Sequence, residues 1–144
     1  MVQRLLTRGG AQHGFSMVEL LVVILIVGIL AAIALPVFLA QQSKGQDTSA
    51  KHDARNVAGA VEACFTDGED YRACTSAADL RQASVTLGSG RGQVEVDAPT
   101  ATEYEVTAHS KSGGDFVMAR GAGGGQERTC TRSGRGGCPD DGTW

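Results

Sequence analysis

The feature that most constrains this chain is an unbroken apolar run, Leu20 to Ala40, with one carboxylate, Glu19, at its leading edge. Roughly 20 apolar residues are enough for a helix to cross a bilayer. Hydrocarbon offers no partners to backbone amides, so the segment is predicted to be helical from Ser16 onward. Val22, Val23, Ile24, Ile26 and Val27 disfavour a water-exposed helix but are acceptable in lipid. Pro36 removes one i→i−4 hydrogen bond and crowds the preceding turn, which predicts a kink near Ala32 to Pro36, with Gly28 loosening the same region. Glu19 lies in the apolar register behind Phe15, Met17 and Val18. A carboxylate deep in a membrane costs roughly 2.5–3.5 kcal/mol by insertion scales, so its presence points to function.

Beyond this run the composition changes. The chain has 144 residues, which leaves one compact domain after the apolar segment. Net charge is −3, and residues 1–14 carry Arg4 and Arg8 with no acid, so the remainder carries −5. An acidic body argues against nonspecific nucleic-acid binding. Residues 1–14 read as the cytoplasmic flank of a signal anchor held inside by Arg4 and Arg8. A cleaved secretory signal is a second reading, with Ala32-Ile33-Ala34 as a small-x-small site, although Glu19 would interrupt its apolar region.

From Gln41 the helix is predicted to continue to about Phe65, with a stripe of Ala50, Ala54, Val57, Val61 and Cys64/Phe65 on one side. Lys44, Asp47, Lys51, Asp53, Arg55 and Glu62 coat the rest, and Gly45 is a weak point. Asp67-Gly68 is the expected stop, with Gly68 left-handed. Ser76-x-x-Asp79 resembles a capping box and predicts a short helix over Ala77 to Ala83, within a connection spanning 66–83. Short alternating runs follow at Ser84–Leu87, Gln93–Asp97, Glu103–Ser110, Asp115–Arg120 and Glu127–Thr131, separated by Gly-rich breaks. They predict an antiparallel meander over 84–144 whose apolar face, including Val94, Val96, Tyr104, Val106, Phe116 and Met118, covers the helix stripe. The tail, Cys130 to Trp144, reads as a polar loop.

No catalytic constellation emerges, and no cofactor is implied. The Gly-rich loops lack the Lys-Ser/Thr of a phosphate loop and are expected to be hairpin turns. His52 and His109 read as solvated. Arg128, Arg132 and Arg135 form a small basic patch, read as an exposed loop rather than a nucleic-acid contact. Asp140 and Asp141 lack the further spaced oxygens of a calcium site, and the cysteines lack zinc spacing, so no metal is expected. Four cysteines allow three pairings. In an oxidising compartment the short-loop pairs Cys64–Cys74 and Cys130–Cys138 are expected, each bracketing a turn and each stabilising by roughly 2–3 kcal/mol.

The segment GFSMVELLVVILIVGILAAIALPVFL closely resembles the N-terminus of type IV pilins and their pseudopilin relatives. It has a glycine before an aromatic, a glutamate four residues after that aromatic, and an apolar helix carrying Gly28 and Pro36. The segment AHSKSGGDF…RTCTRSGRGGCPDDGTW is similar to pilin-like proteins of high-GC Gram-positive bacteria. The resemblance implies an α+β pilin fold, with one long helix whose C-terminal half packs on a small antiparallel sheet. It implies a leader, 1–14, cut by a prepilin peptidase between Gly14 and Phe15, with methylation of the new Phe15 amine. Residues 15–40 would then form a transmembrane and later filament-core helix, able to melt between Gly28 and Pro36, and 41–144 a globular head. Implied partners are further copies of the chain, the membrane and an assembly platform in the cytoplasmic membrane. The product is an extracellular pilus serving adhesion, motility or DNA uptake. A pseudopilin of a secretion or competence system, or an anchored surface domain that never polymerises, remain alternatives. No basic side chain lies between Phe15 and Gln42, so the new amine is the one nearby partner for Glu19, which is expected to be the assembly residue.

Overall fold

The computed structural model describes residues 14–80, 83–98 and 100–144. The readings made for residues 1–13, including Arg4 and Arg8, lie outside the described residues, as do Arg81, Gln82 and Pro99.

One helix, α1, runs from Met17 to Gly68, and helical assignment is continuous through Gly28, Pro36 and Gly45. Contacts divide the chain into two units, Met1–Val37 and Phe38–Trp144, so α1 contributes to both. In the first unit the described part of the helix is apolar on every side. Its large side chains from Phe15 through Ile33 and Leu35 are all exposed, and the most apolar eighteen-residue window of α1 has a mean hydropathy of 3.2 with none of it buried. By length and composition α1 is able to cross a membrane.

The second unit holds the core. α1 gives Ala50, Ala54, Val57, Ala58 and Val61, all buried, at the three- and four-residue spacing of one helix face. Four strands follow: β1 (Val94–Asp97), β2 (Tyr104–His109), β3 (Asp115–Arg120) and β4 (Gln126–Cys130). They form an antiparallel sheet in the order β1-β2-β3-β4. Side chains alternate across it, so Val94, Tyr104, Val106, Ala108, Phe116 and Met118 join the helix face in one cluster. Phe65 stacks on Tyr71 with centroids 4.2 Å apart, and Tyr71 meets Tyr104 edge-on at 4.8 Å. The molecule is thus α+β, a long helix and a small antiparallel meander.

Disulfides join Cys64 to Cys74 and Cys130 to Cys138. The first ties the end of α1 to the 3-10 turn at Tyr71–Ala73, whose N-cap Asp70 accepts from the Arg72 amide. The second closes the tail beside β4.

Four local expectations are corrected. The left-handed residue ending α1 is Glu69 (φ 53°), not Gly68, because the Glu69 N–H still donates to Phe65 O and carries the ladder one residue further. Residues 77–80 form a turn rather than the start of a helix. There the Ser76 hydroxyl bonds the Asp79 carboxylate, and the Asp79 and Leu80 N–H groups both donate to Ser76 O, which closes a turn. Ser84–Leu87 is not a strand: Ser84 takes φ 50°, out of the extended region, and only Leu87 bridges Val94. Finally, Asp47 is 3 % exposed rather than part of a solvated coat.

Candidate assembly segment and the polar clusters of the head

The N-terminal segment is built around a helix cap. The Ser16 N–H donates to Glu19 Oε2 at 3.2 Å, and the Val18 N–H donates to Ser16 Oγ at 3.3 Å. Ser16 is therefore the N-cap and Glu19 the third helical residue of a reciprocal capping box. The Ser-x-x-Glu spacing of residues 16–19 carries that signal, which a reading of Glu19 as a stranded carboxylate overlooks. The cap bends the Glu19 carboxylate back over the first turn, where the helix dipole also favours a negative charge. Phe15, 80 % exposed, and Gly14, with open space around it, precede the cap.

Two carboxylates on the C-terminal half of α1 organise the head. Asp47 accepts from Ser110 Oγ at 2.6 Å, Ser112 Oγ at 2.5 Å and the Gly137 N–H at 2.7 Å. A buried carboxylate is tolerable only with such a full set of donors. The tail reaches it closely because Gly136 adopts φ +60° and a side chain there would collide with Asp47. One turn on, Lys51 Nζ donates to Gly137 O at 2.6 Å and lies 5.2 Å from the Phe116 ring centroid. Glu62 accepts from Tyr71 OH (2.9 Å), Tyr104 OH (3.0 Å) and Arg120 Nη1 (2.8 Å). Burial, and then the adjacent Glu62 carboxylate, push both tyrosine hydroxyls above their ordinary pKa. Both acids look like surface charges in a helical pattern. Their donors come from segments 42 to 90 residues away (Tyr71 excepted), so local spacing carries no signal for them.

The remaining candidates are placed as follows. His109 is not solvated; its Nδ1 lies 2.8 Å from Asp115 and its Nε2 3.6 Å from Glu95, on the strands either side. His52 is exposed and contacts Asn56. Arg128 on β4 and the tail arginines Arg132 and Arg135 do not act as one patch. Arg128 lies over the Trp144 ring, Arg132 donates to Ser112 O at 2.8 Å, and Arg135 lines a cavity of about 230 Å³ with Lys44 and Arg132. Asp141 accepts from the Thr143 N–H and hydroxyl, and these bonds, the backbone one foremost, hold its carboxyl below the usual range. Among the described residues no group of three metal-ligating side chains converges.

A family model described as the prokaryotic N-terminal methylation motif matches residues 10–35. A fimbrial protein of Pseudomonas aeruginosa is 30 % identical over 114 residues, 74 % of each chain. Fimbrial protein EcpC of Eikenella corrodens is 37 % identical over 103 residues, 72 % of this chain and 65 % of that one. The type IV major alpha-pilin of Moraxella bovis is 29 % identical over 109 residues, 76 % of this chain and 68 % of that one. No solved structure matches.

Proposed function

Since this chain belongs to the type IV pilin family, we propose that it is the major structural subunit of a helical surface filament and works by assembly rather than catalysis. The observation that carries the reading is the helix surface from Met17 to Leu39, apolar on all sides and exposed, with one acid held at its start. In water such a surface has no stable resting place; a bilayer and then a bundle of identical helices both supply one.

The proposed sequence starts with a precursor held in the cytoplasmic membrane by residues 15–40. A prepilin peptidase removes 1–14 between Gly14 and Phe15, and the Phe15 amine is methylated. An assembly platform then moves the chain into the filament, where residues 15–40 become core and the head, 41–144, becomes surface. Cleavage leaves the Phe15–Ser16 amide intact, so the cap at Ser16 persists in the mature chain. It keeps Glu19 one turn from the new amine, able to meet the amine of an incoming copy. A misplaced helix would leave both charges unpaired in an apolar core, which selects the register. Gly28 and Pro36 mark the stretch that can lose helicity on packing, since one lacks a side chain and the other an amide hydrogen.

Electron microscopy of sheared surface fibres, with mass spectrometry of their subunit, tests the reading. This chain is expected as the main component, and Glu19→Ala is expected to leave protein levels normal while fibres fall sharply. A chain confined to the cell envelope with no fibre would favour a pseudopilin, and normal fibres from Glu19→Ala would overturn the assembly role.

A further inference from the structure

We propose that successive heads in the filament join end to end through opposite charge, the acidic end of one head docking on the basic end of the next copy. The inference rests on the filament-subunit reading and adds to it the contact between heads.

Strand register places the charges. Asp97 pairs with Glu105, Glu105 with Ala119 and Ala119 with Glu127. Asp97, Glu105 and Glu127 therefore form one transverse row of exposed carboxylates on the outer face of the sheet. Like charges directly opposite on neighbouring strands are destabilising, so an external cation would relieve this row. The same end of the head holds the end of α1, because Glu62 bonds Tyr104 and the Tyr71 N–H donates to Ala101 O. That adds Asp67 and Glu69, both exposed. Among the described residues the cations at this end are committed already: Arg120 to Glu62 and Arg72 to Asp70.

The other end has the opposite balance. The turn at 110–114, the loop before β1 and the tail after β4 meet there. Gly92 N–H donates to His109 O, Thr131 N–H to Asp115 O, and Arg132 to Ser112 O. Lys111, Arg91, Arg132 and Arg135 are exposed on these loops, and Lys44 joins them from α1 across the cavity. The guanidiniums of Arg91 and Arg132 converge at Gly113, where a side chain would meet them at 3.6 and 3.3 Å. No ion pair among the described residues uses Lys44, Arg91, Lys111 or Arg135. The acids at this end are otherwise engaged or few. Asp47 is buried with three donors, Asp115 serves His109 and Thr131, Asp141 serves Thr143, and Asp140 sits beside Gly134.

A patch at one end that complements the patch at the other is a heterologous surface. Unlike a two-fold contact it leaves a free patch at each end of the pair, and repeated copies give an open helix wherever the rotation between them does not close a ring. Two like ends repel, so the same charges exclude antiparallel docking and set polarity.

Charge exchange tests this in the full-length chain expressed in its own cells. Glu105→Lys with Glu127→Lys alters the acidic end, and Lys111→Glu with Arg135→Glu the basic end. None of the four side chains belongs to the Asp47 or Glu62 clusters. Each pair alone is expected to lower fibre number roughly tenfold at unchanged protein level, and the four substitutions together are expected to restore fibres. Normal fibres from both pairs, or loss from each without restoration in combination, overturns the contact. Absence of fibres from the unaltered chain overturns the subunit reading itself and the contact with it.

Discussion

Asp47 shows how much of the head hangs on single side chains. Three donors, from the turn at 110–112 and from the tail, point at one buried carboxylate. Asp47→Ala leaves them without a partner and is expected to cost at least about 2 kcal/mol, a fall in Tm of roughly 10 °C by thermal denaturation. Glu62 couples a second set, and here pH is the probe. Tyr71 and Tyr104 are the chain's two tyrosines, and both have raised pKa values in the fold through burial and Glu62. The unfolded chain releases these protons near the ordinary value of 10.0, before the folded one does. Their contribution to stability is therefore complete below pH 10 and is lost as pH rises toward the folded values. Tyrosinate absorbance is expected to appear late and together with unfolding. Smooth ionisation of both rings near pH 10 in folded protein would contradict this. The helical pattern counts Asp47 and Glu62 as surface charges, because what reveals their burial lies in distant segments.

At the scale of elements, the tail after β4 behaves as a fifth edge rather than a loose loop. Thr143 bridges Thr129, the Cys130 N–H donates to Gly142 O, and Trp144 Nε1 donates to Thr129 O at 2.8 Å. The Trp144 ring meets Phe116 edge-on and lies under Arg55, with the guanidinium 5.0 Å from its centroid. Cys130–Cys138 closes the loop that brings it there. Cys130→Ser with Cys138→Ser is expected to cost roughly 2–3 kcal/mol. It should also shift the emission of Trp144, the chain's one tryptophan, toward that of a solvated indole. Unchanged emission and stability would mean that the hydrogen bonds alone hold the tail. Sequence composition describes this tail as polar and Gly-rich, which is true and uninformative. Its order comes from one aromatic residue finding a strand that sequence spacing does not identify.

On the scale of the whole molecule, the chain combines an apolar helix surface with a charged, disulfide-tied head. A mature subunit beginning at Phe15 and carrying one methyl group is expected from intact mass spectrometry of surface fibres. Assembled material that retains Met1 to Gly14, or begins at Ile33 or Leu35, would overturn the proposed processing. The apolar helix, the Ala/Val stripe and the alternating strands each repeat one local rule over many residues. The sequence by itself therefore determined α1, the meander and the α+β class, because periodicities of 3.6 and 2 are properties of neighbouring residues. Only the tertiary structure decided which acids are buried, which residue turns left-handed at the end of α1, that Ser84–Leu87 stays out of the sheet, and that the charges separate to two ends. Those outcomes depend on which distant groups meet, and a buried carboxylate or a row of like charges is set by its partners across the fold rather than by its neighbours along the chain.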